Sequence, residues 1–382
     1  MMTSSVRFVS ALSIVSCFAC QPRSPGARLP SDREAPPEQP VVASAPSDLR
    51  VFARTTGAPP VAEYLLLGRD QAAGSYRLLS AALPHPATGF TPRAAHSAWV
   101  AGHVVEATLN ETTPASAAGS TAQSLALRVF PAPGAPSTNP QAEAAPSIAQ
   151  IALPQPCTQT EPALLQGDAT QLHALLRCPK EGYALLLHLD DQAQLQSSRR
   201  VPAAADATLY LHQPDGDYLA VARQVLRVPP GSEDTLPVIG TVPPPGGDSD
   251  TRELIRTGDQ LLIVDGAAGR VIVMDALRMG WRTEKRFYSQ GTVTRLRSVL
   301  TQADRLCVVT TEETRQGTEL FATLITLSDT SSQPPVRWQL GPAQRADHDL
   351  LPIADSDGGG ALLLHSRRDA SGAVLVQRRL FP

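Results

Sequence analysis

The sequence predicts an all-β fold assembled from repeated antiparallel strand units, and three observations support that prediction. Residues 259–277 contain two apolar, β-branched runs on either side of a glycine-bearing turn, which is the pattern of a β-hairpin. The same plan recurs in the segments that begin at residues 63, 305 and 360. Aromatic residues make up only 4% of the 382-residue chain, so Leu, Val, Ile and Ala must fill the core between sheets.

The repeats have the length of a four-stranded unit. Residues 162–201 form the fullest copy, with four short strands separated by turn residues. Most of the corresponding second strands begin 35 to 56 residues apart, and one interval of 73 contains a loose Pro/Ala-rich insertion at residues 110–147. The second strands begin at Glu63, Ala98, Gln171, Tyr218, Gln260, Arg305 and Ala361. A spacing of about 40 to 50 residues is that of propeller blades.

This pattern resembles bacterial β-propellers of the NHL, YVTN and quinoprotein-like kind, most clearly at residues 259–277 and more loosely over residues 49–382. A WD dipeptide, a kelch double glycine and a tryptophan docking motif are absent, so the resemblance reaches the superfold and no subfamily. It implies a β-propeller at residues 48–382 with seven blades, within a range of six to eight. A pair of β-sandwiches is the alternative, which the regular spacing disfavours.

Ring closure is predicted from the two ends of the body. The final hairpin leaves its blade one strand short, and residues 49–54 form a lone amphipathic strand. Because an open ring would expose two sheet edges, we expect residues 49–54 to pair with residues 374–380.

The amino terminus has the layout of a secretion signal, with one early positive charge and a short apolar run. That run is far shorter than the roughly 20 residues that a transmembrane helix needs. Residues 14–17, Ile-Val-Ser-Cys, resemble the bacterial lipobox, which implies a signal at residues 1–20 and lipidation of Cys17. Cys20 is the alternative lipidation site, and a cleaved signal with incidental cysteines is the third interpretation.

A Pro/Ala-rich segment at residues 21–47 has no apolar period and is expected to be a disordered tether. Anchor, tether and globular body together resemble exported bacterial lipoproteins. Neither candidate cysteine is followed by the aspartate that resembles an inner-membrane retention signal. We therefore expect an extracytoplasmic protein on the bacterial outer membrane, which contacts the membrane through its lipid alone.

Candidate structural and metal sites are few. Cys157 and Cys178 are a plausible disulfide in an exported chain, whereas Cys307 lies in an apolar run and is expected to be a buried hydrophobe. Weak calcium-loop patterns occur at Asp215, Asp217, Asp355 and Asp357, but ordinary Asp-Gly turns explain them more simply. The eight histidines are scattered singly, so we expect structural roles for them, no bound metal and no cofactor.

A mixed-charge ring is the candidate binding surface. The turns after the second strands should gather on one face of a propeller, around the central channel. Their residues, which form either a binding rim or a solvated edge, are Arg69, Asp70, Lys180, Glu181, Asp265, Glu312, Arg315, Arg367, Arg368 and Asp369.

The chain has no recognisable catalytic motif, and its net charge of −3 provides no field for nucleic acid. The sequence therefore favours a non-enzymatic envelope protein that binds or scaffolds a protein, peptide or glycan. The alternative is an envelope hydrolase or lyase that acts on glycans through carboxylates at the channel mouth.

Overall fold

A computed structural model of the chain describes residues 37, 39–42, 48–56, 61–70, 75–80, 95–100, 102–108, 123–130, 146–159, 161–168, 170–231, 237–302, 304–328, 334–343, 351–354, 361–369 and 372–380. Over these ranges the chain forms antiparallel strands and one short 3₁₀ turn, Ser249–Thr251. None of the described segments is a helix with the length and apolar character needed to cross a membrane.

The strands of the described residues assemble into seven sheets, which we number as blades in chain order. Blade 1 has three strands, β2 Asp48–Thr56, β3 Val61–Asp70 and β4 Ser75–Ser80. Blade 2 comprises β5 Ser97–Val100, β6 His103–Thr108, β7 Ser124–Phe130 and β8 Ser147–Ala152. Blade 3 comprises β9 Leu164–Gly167, β10 Gln171–Cys178, β11 Tyr183–Asp190 and β12 Leu195–Pro202.

Blades 4 to 6 repeat this four-stranded plan. Blade 4 comprises β13 Ala207–Gln213, β14 Gly216–Val221, β15 Gln224–Val228 and β16 Val238–Thr241. Blade 5 comprises β17 Arg252–Thr257, β18 Gln260–Asp265, β19 Arg270–Asp275 and β20 Trp281–Arg286. Blade 6 comprises β21 Thr292–Gln302, β22 Arg305–Thr314, β23 Gly317–Thr326 and β24 Val336–Pro342.

Blade 7 draws strands from both ends of the chain. Its three local strands are β25 Leu351–Ala354, β26 Ala361–Asp369 and β27 Gly372–Leu380. The fourth is β1, Gln39–Val42, which pairs antiparallel with β27. The first strands of successive blades contact one another in order from β2 to β25. The described residues therefore form a β-propeller of seven sheets, within the range of six to eight blades that the repeat spacing predicts, and not a pair of sandwiches.

The strand predicted to close the ring is the wrong one. Residues 49–54 belong to β2, which pairs along its whole length with β3. The two strands are neighbours in sequence, so their pairing closes a short loop and costs less entropy than pairing with the distant carboxyl terminus. Residues 39–42 close the ring instead, although they fall within the segment expected to be a disordered tether. Pro40 is compatible with this position because β1 is an edge strand.

The core lies between blades rather than within one layer. Alternate residues of each strand face opposite neighbours. Along β10, Leu172, Ala174 and Leu176 pack against blade 2, and Leu175 packs against blade 4. Further apolar clusters join blades 4 and 5, 5 and 6, and 6 and 7. The Pro/Ala-rich insertion contributes to this core, because Leu125 and Leu127 of β7 are fully buried.

Candidate functional site

Three histidines meet between blades 3 and 4. His173 lies on β10, His188 on β11 and His212 on β13. One nitrogen of each ring lies within 4.8 Å of a nitrogen of the other two. We call these three residues the histidine cluster.

Strand alternation explains the convergence. His173 and His188 are direct register partners across β10 and β11, so both side chains are on the same face of blade 3. That face also presents Leu175 and Leu186 to blade 4. On β13, His212 is two residues from Tyr210 and shares its face toward blade 3. The histidine cluster therefore continues the apolar contact between the two blades.

The rings are packed closely. His173 and His212 are stacked, with centroids 3.5 Å apart and ring planes 15° from parallel. His188 stands edge-on to both, with its centroid 4.8 Å from that of His173 and 5.2 Å from that of His212. The three rings are therefore in direct contact with one another.

His173 is the most deeply buried member, with 1% of its surface exposed. Its Nε2 lies 3.6 Å from Oδ2 of Asp168, which is too far for a hydrogen bond, and its Nδ1 has no partner among the described residues. Leaving a buried polar group unpaired costs about 1–3 kcal/mol. Burial lowers the pKa of His173, and the neighbouring rings of His212 and His188 lower it further. The imidazole is therefore held neutral.

Asp217 holds the other two rings. Its Oδ1 lies 2.8 Å from Nδ1 of His212 and accepts a hydrogen bond of 2.9 Å from the hydroxyl of Tyr210. Its Oδ2 lies 3.4 Å from Nε2 of His188. Burial alone would raise the pKa of Asp217, but the contacts with His188 and His212 outweigh it and keep the pKa below its ordinary value. The carboxylate is therefore ionised.

Asp168 has the corresponding position beside His173. Its Oδ1 accepts hydrogen bonds of 2.8 Å from the backbone N–H groups of Thr170 and Gln171, which fixes it in the β9–β10 turn. Partial burial raises its pKa, but His173 and the two N–H groups lower it by more. Each histidine of the cluster thus has one nitrogen facing an ionised carboxylate.

Gln166 of β9 fixes the spacing between the two blades. Its amide nitrogen donates to the carbonyl oxygen of His212 at 2.9 Å, and its amide oxygen accepts from the N–H of His212 at 2.8 Å. The side chain therefore pairs with the backbone of β13 as a neighbouring strand would. Gln166 is 5% exposed, so this pairing is protected from water.

The histidine cluster is open on one side. The side chains of His188 and His212 are 32% and 21% exposed, whereas that of His173 is 1% exposed. A small ligand can reach the two outer rings without unfolding the blades. Chemically, the cluster offers three imidazole nitrogens, with the carboxylates of Asp168 and Asp217 beside them.

The sequence analysis missed this site, because it assigned structural roles to histidines that are far apart in the chain. The signal was present in the strand alternation, which places His173 and His188 on the face of Leu175 and Leu186. The step that required the structure was the contact with His212, which depends on how two blades pack.

Of the predicted cysteine sites, the disulfide involves the same blade as the histidine cluster. Cys157 and Cys178 form a disulfide that ties the segment after β8 to the end of β10. Cys307 is fully buried on β22, and burial raises the pKa of its thiol. Cys17 and Cys20 lie outside the described residues.

Two members of the predicted rim are not available at a surface. Glu312 is fully buried and forms a salt bridge of 2.9 Å with Arg337. Asp265 is 2% exposed and accepts hydrogen bonds from the backbone of Gly246 and Ala268. Both carboxylates hold turns within the fold, which the turn pattern in the sequence could not distinguish from an open rim.

The remaining rim residues occupy turns or strand ends. Lys180 and Arg315 are exposed, and Glu181 accepts hydrogen bonds from Thr158. The others end strands β3 and β26, and their side chains lie outside the described part: Arg69, Asp70, Arg367, Arg368 and Asp369. The β10–β11 turn and the histidine cluster are at opposite ends of blade 3, since His173 lies near the start of β10 and His188 near the end of β11.

Of the four aspartates in the weak calcium-loop patterns, the two within the described residues make other contacts. Asp217 faces the histidine cluster. Asp215 binds the hydroxyl of Tyr218 at 2.8 Å and the guanidinium of Arg256 at 3.0 Å. Asp355 and Asp357 lie outside the described residues.

No family model and no curated protein matches this chain. Among solved structures it is similar to the WD40 domain of Toxoplasma gondii coronin, with 9% identity, 92% of this chain and 86% of that chain covered, and a TM-score of 0.48. It is also similar to Citrobacter koseri AztD, with 14% identity, coverage of 89% and 82%, and a TM-score of 0.40. The N-terminal domain of Nup159 is similar as well, with 12% identity, 91% of this chain and 95% of that chain covered, and a TM-score of 0.43. Because these TM-scores are below 0.5, the propeller assignment rests on the seven sheets themselves.

Proposed function

We propose that this protein is an exported, lipid-anchored β-propeller that acts by binding a ligand at the histidine cluster. The observation that carries the proposal is His173, a buried imidazole without a hydrogen-bond partner in the described residues, facing two further histidines. A buried polar group that the fold does not satisfy reduces stability, and such groups are concentrated at functional sites.

Export and anchoring are supported by the amino-terminal sequence. The short apolar run and the lipobox-like residues 14–17 favour lipidation at Cys17 and a place on the bacterial outer membrane. The disulfide between Cys157 and Cys178 suits an oxidising compartment outside the cytoplasm. Residues that precede β1 would then connect the anchor to blade 7.

A glycan hydrolase has less support. Its general acid would need a carboxyl group of raised pKa. Among the described residues, each carboxyl group with a resolved shift has a lowered pKa: Asp168, Glu181, Asp215, Asp217, Asp259 and Asp275. The two buried rim carboxylates, Asp265 and Glu312, are already paired.

Lipidation is tested by the mass of the mature amino terminus of the chain purified from membranes. We expect a lipid-modified Cys17 in the natural sequence, loss of the lipid in Cys17→Ser, and no change in Cys20→Ser, which is the matched control. A lipid on Cys20, or an unmodified terminus in the natural chain, would contradict the anchor assigned here.

Binding is tested by thermal unfolding of the full chain with a panel of divalent ions, phosphates, carboxylates and sugars. A ligand present at about 100 times its dissociation constant stabilises a protein by about 2.7 kcal/mol. We expect at least one member to raise the unfolding temperature, and His188→Ala with His212→Ala to abolish the effect. If no member stabilises the natural chain, or if the double variant responds equally, the proposed binding site is wrong.

A further inference from the structure

We propose that His173, His188 and His212 bind one divalent transition-metal ion between blades 3 and 4, leaving a further coordination position open. This inference rests on the proposed binding function and names its ligand.

The donor type selects the metal. Imidazole nitrogen suits zinc, copper, nickel and cobalt, whereas calcium and magnesium take oxygen ligands. Three protein nitrogens with an open position form the arrangement of an accessible zinc site rather than a closed structural one. We therefore expect the site to bind zinc, and we expect copper to compete with it because copper binds nitrogen sites more tightly.

The distances fit a site that closes on its ion. Nitrogens at about 2.0–2.1 Å from one tetrahedral zinc lie about 3.3 Å apart. One nitrogen of each histidine now lies within 4.8 Å of a nitrogen of the other two. Side-chain rotations that move each nitrogen by about an ångström would therefore bring them to the spacing of a zinc site. A metal would replace the direct stacking of His173 on His212 with coordination and would satisfy the unpartnered Nδ1 of His173.

The carboxylates of Asp217 and Asp168 already lie where they would bind the histidine nitrogens that do not contact the metal. Asp217 faces Nδ1 of His212 and Nε2 of His188, and Asp168 faces Nε2 of His173. The opposite nitrogen of each ring therefore remains for the metal. Metal-bound histidines usually donate their other nitrogen to a carboxylate, which orients the ring and increases its basicity. Asp217 and Asp168 are accordingly positioning residues.

Preorganisation comes from both blades. Gln166 holds the backbone of His212 to β9, and the register of β10 and β11 keeps His173 beside His188. The ion would thus join blade 3 to blade 4, entering past the partly exposed rings of His188 and His212 while His173 forms the base of the site.

The experiment uses the full chain in detergent, stripped with a chelator and titrated with Zn²⁺ and Co²⁺. We expect one ion per chain by elemental analysis and the intense visible absorption of four-coordinate Co²⁺. His188→Ala and His212→Ala should each weaken binding by more than the about 10- to 100-fold loss that changes in outer carboxylates produce. His103→Ala, a half-buried histidine of blade 2, is the matched control and should bind normally.

Asp217→Asn separates positioning from folding. We expect about 10- to 100-fold weaker Co²⁺ binding with unchanged stoichiometry. A purely structural role for Asp217 would instead lower the unfolding temperature of the metal-free chain and leave Co²⁺ affinity unchanged.

Absence of transition-metal binding by the folded chain overturns the metal assignment, as does binding that survives both His188→Ala and His212→Ala. If a phosphate, carboxylate or sugar stabilises the chain through the same histidines, the proposed function stands and the metal assignment falls. If nothing binds there, both are wrong.

Discussion

Gln166 joins blade 3 to blade 4 through both atoms of its amide. Strand β13 is the first strand of its sheet and has no sheet partner on that side among the described residues. The amide oxygen and nitrogen of Gln166 pair with the N–H and C=O of His212, so one side chain satisfies both backbone groups of that residue. The same amide sets the separation of the two histidine-bearing faces. At the residue scale, site geometry and blade packing therefore depend on one buried polar group.

Asp275 gives a prediction about pH at the same scale. Hydrogen bonds from the backbone N–H of Arg278 and the guanidinium of Arg282 lower its pKa from 3.8 to about 2. The folded state thus binds this proton less readily than the unfolded state. The contribution of Asp275 to folding stability is complete above its pKa in the unfolded chain, and it is lost as the pH falls toward 2.

We expect Asp275→Asn to lower the unfolding temperature at pH 6, and the difference from the natural chain to disappear as the pH approaches 2. Thermal unfolding followed by circular dichroism at several pH values measures this. Asp191→Asn, an exposed aspartate in the β11–β12 turn, is the control and should give a curve parallel to that of the natural chain. A difference that is constant with pH would contradict the lowered pKa.

At the scale of single elements, the first strands of blades 2 and 3, β5 and β9, lie in close contact. Gly167 ends β9, and a Cβ at this position would overlap the carbonyl oxygen of Trp99 and lie 2.8 Å from its carbonyl carbon. The neighbouring atoms are backbone, so they cannot move aside as a flexible side chain would. Glycine is required here by the close approach of two strands.

Gly167→Ala should therefore lower the free energy of unfolding by about 1–3 kcal/mol, the usual cost of overpacking. Chemical denaturation of both chains measures the change. Gly280→Ala is the matched control, because a Cβ there has no atom within 4 Å. Equal stability of the Gly167→Ala and natural chains would show that the two inner strands can separate without cost.

Element-scale patterns also explain what the sequence could predict. Strands β18 and β19 follow directly from the apolar runs in residues 259–277, since alternation and a glycine-bearing turn are local properties. Strand β1 could not be predicted, because its two valines lie in a Pro-rich segment and their partner is more than 330 residues away. The histidine cluster could not be predicted for a similar reason, since its residues come from two sheets that meet only when the blades pack.

The whole molecule depends on how its first and last strands meet. Blade 7 would expose the edge of β27 without β1, and an uncovered edge presents unpaired backbone groups to water and to other chains. Because β1 is followed in the chain by β2 of blade 1, its pairing with β27 also links the first blade to the last. Residues 39–42, and not residues 49–54, therefore close the ring by pairing with its last strand.

A pair of truncations tests this closure. A chain that begins at residue 37 keeps β1, and one that begins at residue 43 lacks it. The shorter chain should lose on the order of 2 kcal/mol of stability, at about 1 kcal/mol for each net backbone hydrogen bond, and should aggregate more readily. Replacing Val41 and Val42 by proline in the longer chain removes the N–H donors of both residues without shortening the chain and should reproduce part of the loss. If all three chains unfold at the same temperature, β1 does not close the ring.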